Sequence, residues 1–377
     1  MIKTLPANLL CFSHLRWDFV YQRPQHLISR FAAYQTVYFL EEPVFDARGT
    51  AQLAFAERDD NITIIVPHLP AGLSEQQNNT LLTSLLDRFL EPRNLDDFVF
   101  WYYSPMPLLF SDKHIPKVTI YDCMDELSAF KNASREISTM EKKLMGKADL
   151  VFTGGRSLYE AKKQQHSNIH LFPSSIDKAH FRKARSNKQQ PADQRDINGV
   201  KLGFYGVIDE RFDIQLIKGI ADNRPDWQII LIGPVVKIDP ATLPSNANIH
   251  YLGQKGYDEL PAYLSGWDIA LIPFAINEST RFISPTKTPE YLAAGIPVIS
   301  TPVKDVVDPY GKEKLVHIAT NAADFVSAAE QELSFKNKTQ WLARTDLFLA
   351  DMSWDVTAGN MLKLVRKHLD SSFSIAS

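Results

Sequence analysis

With 377 residues the chain exceeds one ordinary core, and two domains of similar size are expected. At 45% hydrophobic and 23% charged residues it has the composition of a globular protein with full cores. A formal net charge of -3 excludes the basic surface that nucleic acid demands, and Cys11 and Cys123 form neither a disulfide framework nor a metal-ligand spacing, so a reducing, cytoplasmic setting is expected.

The first residues, "MIKTLPANLLCFSHLRWD", hold Pro6 and Asn8 inside an apolar stretch too short for a signal-peptide core, so Cys11 is read as part of a first buried strand, "NLLCFS". Nowhere does an apolar run approach the roughly 18 residues a membrane span needs, which leaves room for peripheral contact with the inner face of a membrane. Further strands are expected at "QTVYFLEE", "ITIIVP", "DFVFWYY", "KVTIYDC", "ADLVFTG" and "NIHLFPS". Helical spacing of apolar residues marks "RPQHLISRFAA" and "NNTLLTSLLDRFLE" between them. The stretch 182–200, "RKARSNKQQPADQRDINGV", has almost no apolar content and reads as a linker or exposed excursion.

After it the alternation restarts, with strands expected at "VKLGFYG", "WQIILIG", "NIHYLG", "DIALIPF", "IPVIST" and "KLVHIA". Helices are expected at "DIQLIKGIAD", "YDELPAYLSG", "TPEYLAAG" and "AADFVSAAEQEL", and a final amphipathic helix at "WDVTAGNMLKLVRKHL". Strands alternating with helices describe α/β units around parallel sheets. The domains are expected at 1–184, 201–353 and a terminal helix over 354–377, with a linker at 185–200. Two doubly wound halves bind ligands beyond the carboxyl ends of their strands, in a cleft.

Chemistry-bearing residues cluster after several of these strands. In residues 13–27, His14, Arg16, Asp18, Gln22, Arg23 and His26 are interleaved with Trp17, Phe19 and Tyr21, a mixture of rings and polar groups suited to a sugar. Asp122, Asp125 and Glu126 follow another strand, where a carboxylate can act as a general base or cap a helix. Gly154, Gly155 and Arg156 read as a turn and helix start. In "LGFYGVIDERFD", Gly206 permits close backbone approach at the first βα junction of the second half, and Arg211 can reach a phosphate. The segment lacks G-x-G-x-x-G, so a dinucleotide reading loses its support. The long polar loop after "DIALIPF" carries Asn277, Glu278, Ser279, Thr280 and Arg281.

That loop leads into "SPTKTPEYLAAGIPVIST", where Ser284 or Thr286 can cap a helix and Pro289 suits its first turn. Lys287 adds a charge to a helix end that attracts phosphate, and Glu290 three residues on can accept hydrogen bonds from vicinal hydroxyls. A phosphate donor beside a ribose acceptor describes a nucleotide site; a surface ion pair is the plainer alternative.

These segments resemble those of nucleotide-sugar glycosyltransferases of the GT-B fold, bacterial group 1, the retaining, glycogen-synthase-like type of polysaccharide pathways. "SPTKTPEYLAAGIPVIST" is similar to the family's donor-site segment, and "RWDFVYQRPQHL", "YDCMDELSAF", "DLVFTGGRSLYEAKK" and "FPSSIDKAHF" resemble those of a subgroup. The resemblance implies two Rossmann-like domains facing a cleft, with the C-terminal helix crossing back to the first. It also implies that Glu290 holds the ribose, that Lys287 and Arg211 meet the diphosphate, and that Gly206 admits it. With Asn277, Glu278, Ser284 and Thr288 these make the expected donor-binding set, and Arg16, Trp17, Gln22, Arg23 and His26 the acceptor-binding set.

Where the family usually shows a first glutamate, eight residues before the second, this chain has Phe282, with Asn277 or Glu278 as substitutes. The expected activity is transfer of a hexose from a nucleotide diphosphate sugar, UDP-linked by the resemblance, to a glycan or lipid-linked acceptor. Lys287 and Arg211 would stabilise the leaving group, and no metal or cofactor is expected. Retention needs little more than that, whereas inversion needs a base such as Asp18, Asp125 or Glu126. A sugar-nucleotide epimerase of the same architecture and a non-catalytic glycan-binding scaffold are the alternatives.

Overall fold

The computed structural model describes residues 5–374 except 59, 60, 132, 188 and 336. The chain divides into two compact units, one made of residues up to Pro173 together with those from Trp354 onward, the other of Ser174–Ser353.

The first unit holds β1 (Asn8–Phe12), β2 (Thr36–Leu40), β3 (Gln52–Glu57), β4 (Ile62–His68), β5 (Phe98–Tyr102), β6 (Val118–Cys123), β7 (Leu150–Thr153) and β8 (Ile169–Leu171). They form one sheet in the order β3-β4-β2-β1-β5-β6-β7-β8, parallel except for the antiparallel β3 on its edge. Central strands such as β5, "FVFWY", are buried along their whole length, as covering on both faces requires. The sequence reading missed β3 because "QLAFAE" has no buried run; Phe55 there is exposed.

The second unit holds β9 (Lys201–Tyr205), β10 (Gln228–Ile232), β11 (Ile249–Gly253), β12 (Ile269–Ile272), β13 (Val298–Ser300) and β14 (Val316–Ile318), in the all-parallel order β11-β10-β9-β12-β13-β14. The expected α/β class and doubly wound sheets are thus present. In each sheet the order reverses at a central pair, β1/β5 and β9/β12, where connections diverge and leave a crevice at the strands' carboxyl ends.

The expected linker is folded into the second unit. The short helix Ala192–Arg195 comes from it, while the helix Lys178–Arg182 and most of the 3-10 turn Lys183–Arg185, expected at the end of the first domain, lie in the second unit too. Their packing is polar, which hid it from a hydrophobicity reading. Gln194, wholly buried, donates to Tyr263 O at 2.8 Å and accepts from Trp267 Nε1 at 2.9 Å. Arg185 donates to Ala293 O at 2.7 Å and forks onto Asp346 at 2.9 and 2.7 Å. The helix expected over "YDELPAYLSG" is broken into a 3-10 turn, Tyr257–Glu259, and the short helix Leu260–Leu264 with Pro261 in its first turn.

The helix Trp354–Ser374 belongs to the first unit. Trp354 is wholly buried and stacks on His26 at 4.8 Å, and Ala358, Met361, Leu362, Val365 and Leu369 continue the buried stripe. No helix among the described residues is long and apolar enough to cross a membrane.

Truncating Trp354 to Ala removes the ring against which His26 packs. We expect a loss of about 3–5 kcal/mol in urea denaturation, accompanied by faster amide exchange along Trp354–Ser374.

Candidate functional site

The carboxyl end of β9 leaves no room for a side chain. Gly206, directly after Tyr205, continues the ladder by donating its N–H to Ile232 O at 2.8 Å. Its φ of +138° suits glycine, and a Cβ added to it would stand 2.2 Å from Lys287 Cε. Gly233, after β10, has φ +139°, and its Cβ would lie 1.9 Å from Gly206 O. Two strand ends therefore meet without side chains, and the Lys287 stem lies across the gap.

Lys287 opens the helix Lys287–Ala294, which ends at Gly295 in the left-handed conformation. Its ammonium stands 5.6 Å from the centre of the Phe204 ring and 5.8 Å from that of Phe274, within cation–π range. Thr286 makes no side-chain cap at this end. Thr288 is wholly buried, and its Oγ1 has no hydrogen-bond partner among the described residues.

Glu290, 5% exposed, lies one turn into the helix and accepts a hydrogen bond at Oε2 from the Tyr205 hydroxyl. Burial pushes its carboxyl from 4.5 up to about 7, against the opposing pull of the Tyr205 hydrogen bond and the Lys287 charge. The Tyr205 N–H in turn donates to the Tyr291 hydroxyl at 3.0 Å. Gly206, Lys287, Thr288 and Glu290 are thus gathered where β9 meets one helix.

Arg211 is held by its own loop. Its guanidinium forks onto Asp209, Nε to Oδ1 at 3.0 Å and Nη2 to Oδ2 at 2.7 Å, and Asp209 is buried. Asn277 caps the 3-10 turn Glu278–Thr280, accepting at Oδ1 from Ser279 Oγ at 2.7 Å and Thr280 N at 3.2 Å. Glu278 is exposed, 3.5 Å from Arg281, whose guanidinium lies 5.2 Å from the Phe282 ring centre. Ser284 contributes its carbonyl, which accepts from Ser174 Oγ at 2.9 Å.

In the first unit several expected acceptor residues are turned to internal contacts. Arg23 and Asp122, 3% and 0% exposed, form a buried fork with a shortest distance of 2.7 Å, and Arg23 also donates to Phe172 O at 2.8 Å. Trp17 packs edge-on against Phe39 at 5.0 Å, and its backbone N–H donates to Glu41 Oε1 at 2.8 Å. His26 stacks on Trp354. Polar side chains that look like a ligand set in sequence here bind the helix Arg23–Phe31 to the sheet and to the C-terminal helix.

Arg16 pairs with Glu41 at 2.8 Å, and the Gln22 N–H donates to Gln25 Oε1 at 3.0 Å. Asp18 is exposed and bound by Arg58 at 3.1 Å. Asp125 is half-buried, and Glu126 pairs with the buried Lys162 at 2.7 Å. Among the described residues no cluster of His, Cys, Asp or Glu could hold a metal.

Three residues of the site escaped the sequence reading. Tyr205 looked like one more strand residue, and Gly233 like an ordinary strand end. Asp209 had a usable signal, since an acid two residues before Arg211 in a turn can fork it.

Residues 207–334 match the family described as Glycosyl transferases group 1. The chain is 26% identical over 294 residues to TuaH of Bacillus subtilis (strain 168), named for teichuronic acid biosynthesis as a glycosyltransferase, with 70% of this chain and 72% of TuaH covered. Sucrose-phosphate synthase from Thermosynechococcus elongatus superposes with a TM-score of 0.71 at 15% identity, covering 97% of this chain and 99% of the other. HepE of Anabaena, in complex with UDP and glucose, does so with a TM-score of 0.66 at 14% identity, covering 94% and 98%. The fold these likenesses show is GT-B.

Gly206→Ala should drive a methyl into Lys287, lowering the thermal midpoint and displacing the lysine, which a crystal structure of the variant would reveal. Glu290 yields a pH signature. Its folded value lies above 4.5, so the folded state binds its proton more tightly than the unfolded chain. The resulting stability is whole below about pH 4.5 and is lost as pH rises through about 7. Glu290→Gln should remove this slope, on the order of 3 kcal/mol, from thermal melts of the unliganded protein across that range.

Proposed function

We propose that the protein is a glycosyltransferase of group 1 type whose second unit binds a nucleoside-diphosphate-linked sugar at the carboxyl end of β9. The observation that carries this reading is the meeting of Lys287, Gly206 and Glu290 at one corner. A cation lies over a side-chain-free backbone gap, and a buried carboxylate follows one turn away on the same helix. The gap admits a diphosphate, Lys287 and the helix N-terminus offset its charge, and Glu290 accepts the ribose hydroxyls.

Cleavage of the sugar–phosphate bond places a growing negative charge on the departing diphosphate. Fixed positive groups lower that barrier most when they need not reorganise. Lys287 is placed by packing on Gly206 and two rings, and Arg211 is oriented by its fork to Asp209. We assign the leaving-group role to these two. The remaining expected donor residues are assigned to the sugar and phosphates: Asn277, Glu278 and Ser284 lie on the loop that leads into the helix Lys287–Ala294, and Thr288 in that helix's first turn.

UDP is the assigned nucleotide, supported by the UDP and glucose bound to the structural relative HepE. Retention of configuration is assigned because the site concentrates on the leaving group, which is most of what retention needs; Phe282, where the family usually shows its first glutamate, departs from that pattern and gives no support to either outcome. Acceptor recognition falls to the first unit, with Arg16 and Gln22 as contacts and Asp18 or Asp125 as the base that inversion would require. The name of TuaH, which refers to teichuronic acid biosynthesis, supports an acceptor in polysaccharide biosynthesis; a cell-surface glycan or its lipid-linked precursor, met on the cytoplasmic side, is the finer assignment of this proposal. No metal or cofactor takes part in this reading.

Incubation with UDP-, GDP- and dTDP-sugars should release free nucleoside diphosphate, best with UDP. Lys287→Ala should lower kcat by about 100- to 1,000-fold, and Glu290→Ala should mainly raise the donor KM. Diphosphate release unchanged by both substitutions, or an epimerised sugar without release, overturns the reading.

A further inference from the structure

Tyr205 is locked more firmly than a strand-end residue needs to be. Its ring meets Tyr291 edge-on at 5.0 Å, lies parallel to Phe181 at 6.4 Å and is tilted on Trp267 at 6.3 Å. Its N–H is anchored on the Tyr291 hydroxyl. A ring held this way offers a hydroxyl at one place, and that hydroxyl donates to Glu290 Oε2. The other oxygen, Oε1, makes no hydrogen bond among the described residues, so one side of the carboxylate is fixed by the protein and one is left for a ligand.

We propose that Tyr205 is a positioning residue for donor binding, fixing the Glu290 carboxylate in one orientation and favouring its anion, so that nucleotide affinity rises as a proton leaves this site. The proposal rests on the reading that Glu290 receives the ribose. A carboxylate presents acceptors to both ribose hydroxyls, whereas a carboxylic acid spends one oxygen on its own proton. Burial favours the acid and the Tyr205 hydroxyl favours the anion, so the balance sits near neutral pH.

The groups set around Glu290 leave Tyr205 and Lys287 as the two that act on it. Tyr291, its helix neighbour, turns its hydroxyl to the Tyr205 N–H. On the helix Lys178–Arg182, Lys178 donates to Leu349 O, His180 is engaged with Tyr257 O and Arg182 with Asp346. Arg185 binds Ala293 O and Asp346, while Arg344 on the helix Thr339–Phe348 reaches Lys314 O. On the helix Leu260–Leu264, Tyr263 is bound to Asp193. The strands β12 and β13 bring no titratable side chain.

The test is the dissociation constant of UDP, by isothermal titration from about pH 5.5 to about pH 9, for wild type, Tyr205→Phe and Glu290→Gln. The second ionisation of a phosphate falls near 6, so Glu290→Gln serves as the reference for the ligand's own titration. Relative to that reference, wild-type affinity should rise with pH through about 7. Tyr205→Phe should bind about tenfold to a hundredfold more weakly at neutral pH, with its midpoint moved upward by about one pH unit or more and affinity recovered in alkali.

A Tyr205→Phe profile with the wild-type midpoint overturns the positioning role while leaving the ribose reading intact. Glu290→Gln binding as tightly as wild type at every pH overturns the ribose reading itself. Should Tyr205→Phe melt too low to titrate, the wild-type profile decides, and one that parallels Glu290→Gln overturns the proposal.

Discussion

The site hangs on a place where side chains are missing. Gly206 and Gly233 bring the ends of β9 and β10 so close that a single methyl on either would collide, with Lys287 in one case and with Gly206 O in the other. That closeness lets a lysine stem lie over bare backbone, under two aromatic rings, with its charge at the start of a helix. Everything else in the corner follows from holding that helix in place. Tyr291 is tied to β9 through the Tyr205 N–H, Glu290 through the Tyr205 hydroxyl, and Ala293 to the Lys183–Arg185 turn through Arg185.

The corner is also electrostatically deliberate. Asp209 forks Arg211 within its own turn and so orients the guanidinium. Glu290 faces an opposite charge and a hydroxyl, yet burial outweighs both and leaves its proton weakly acidic. A buried group poised in this way responds to small changes around it, because neither of its forms is far from being preferred.

Most of the architecture was legible because parallel strands covered on both faces, such as β5, leave continuous apolar runs in sequence, and thirteen of the fourteen strands among the described residues coincide with expected ones. The exception, β3, sits at an edge and buries little. The linker reading failed for the opposite reason. Gln194 and Arg185 pack through hydrogen bonds to backbone and carboxylate, a kind of core that hydrophobicity does not register. In the site, Lys287, Glu290 and Gly206 could be found because their spacing on a strand end and a helix start carries the chemistry. Trp17, Arg23 and His26 have the residue types of a sugar site, but whether such a side chain turns inward depends on partners distant in sequence, such as Phe39, Asp122 and Trp354.

The second unit is inserted within the first, because the chain leaves the first after Pro173 and re-enters it at Trp354. Synthesis from the N-terminus therefore delivers the first unit's sheet early but withholds one of its walls. Until the final helix emerges, His26 and the face around it lack the surface that Trp354, Met361 and Val365 provide. The second unit, continuous in sequence, can close on itself before that. The part of the molecule that is made first is thus the part that is finished last, and shortening the chain at its far end would damage the domain at its beginning.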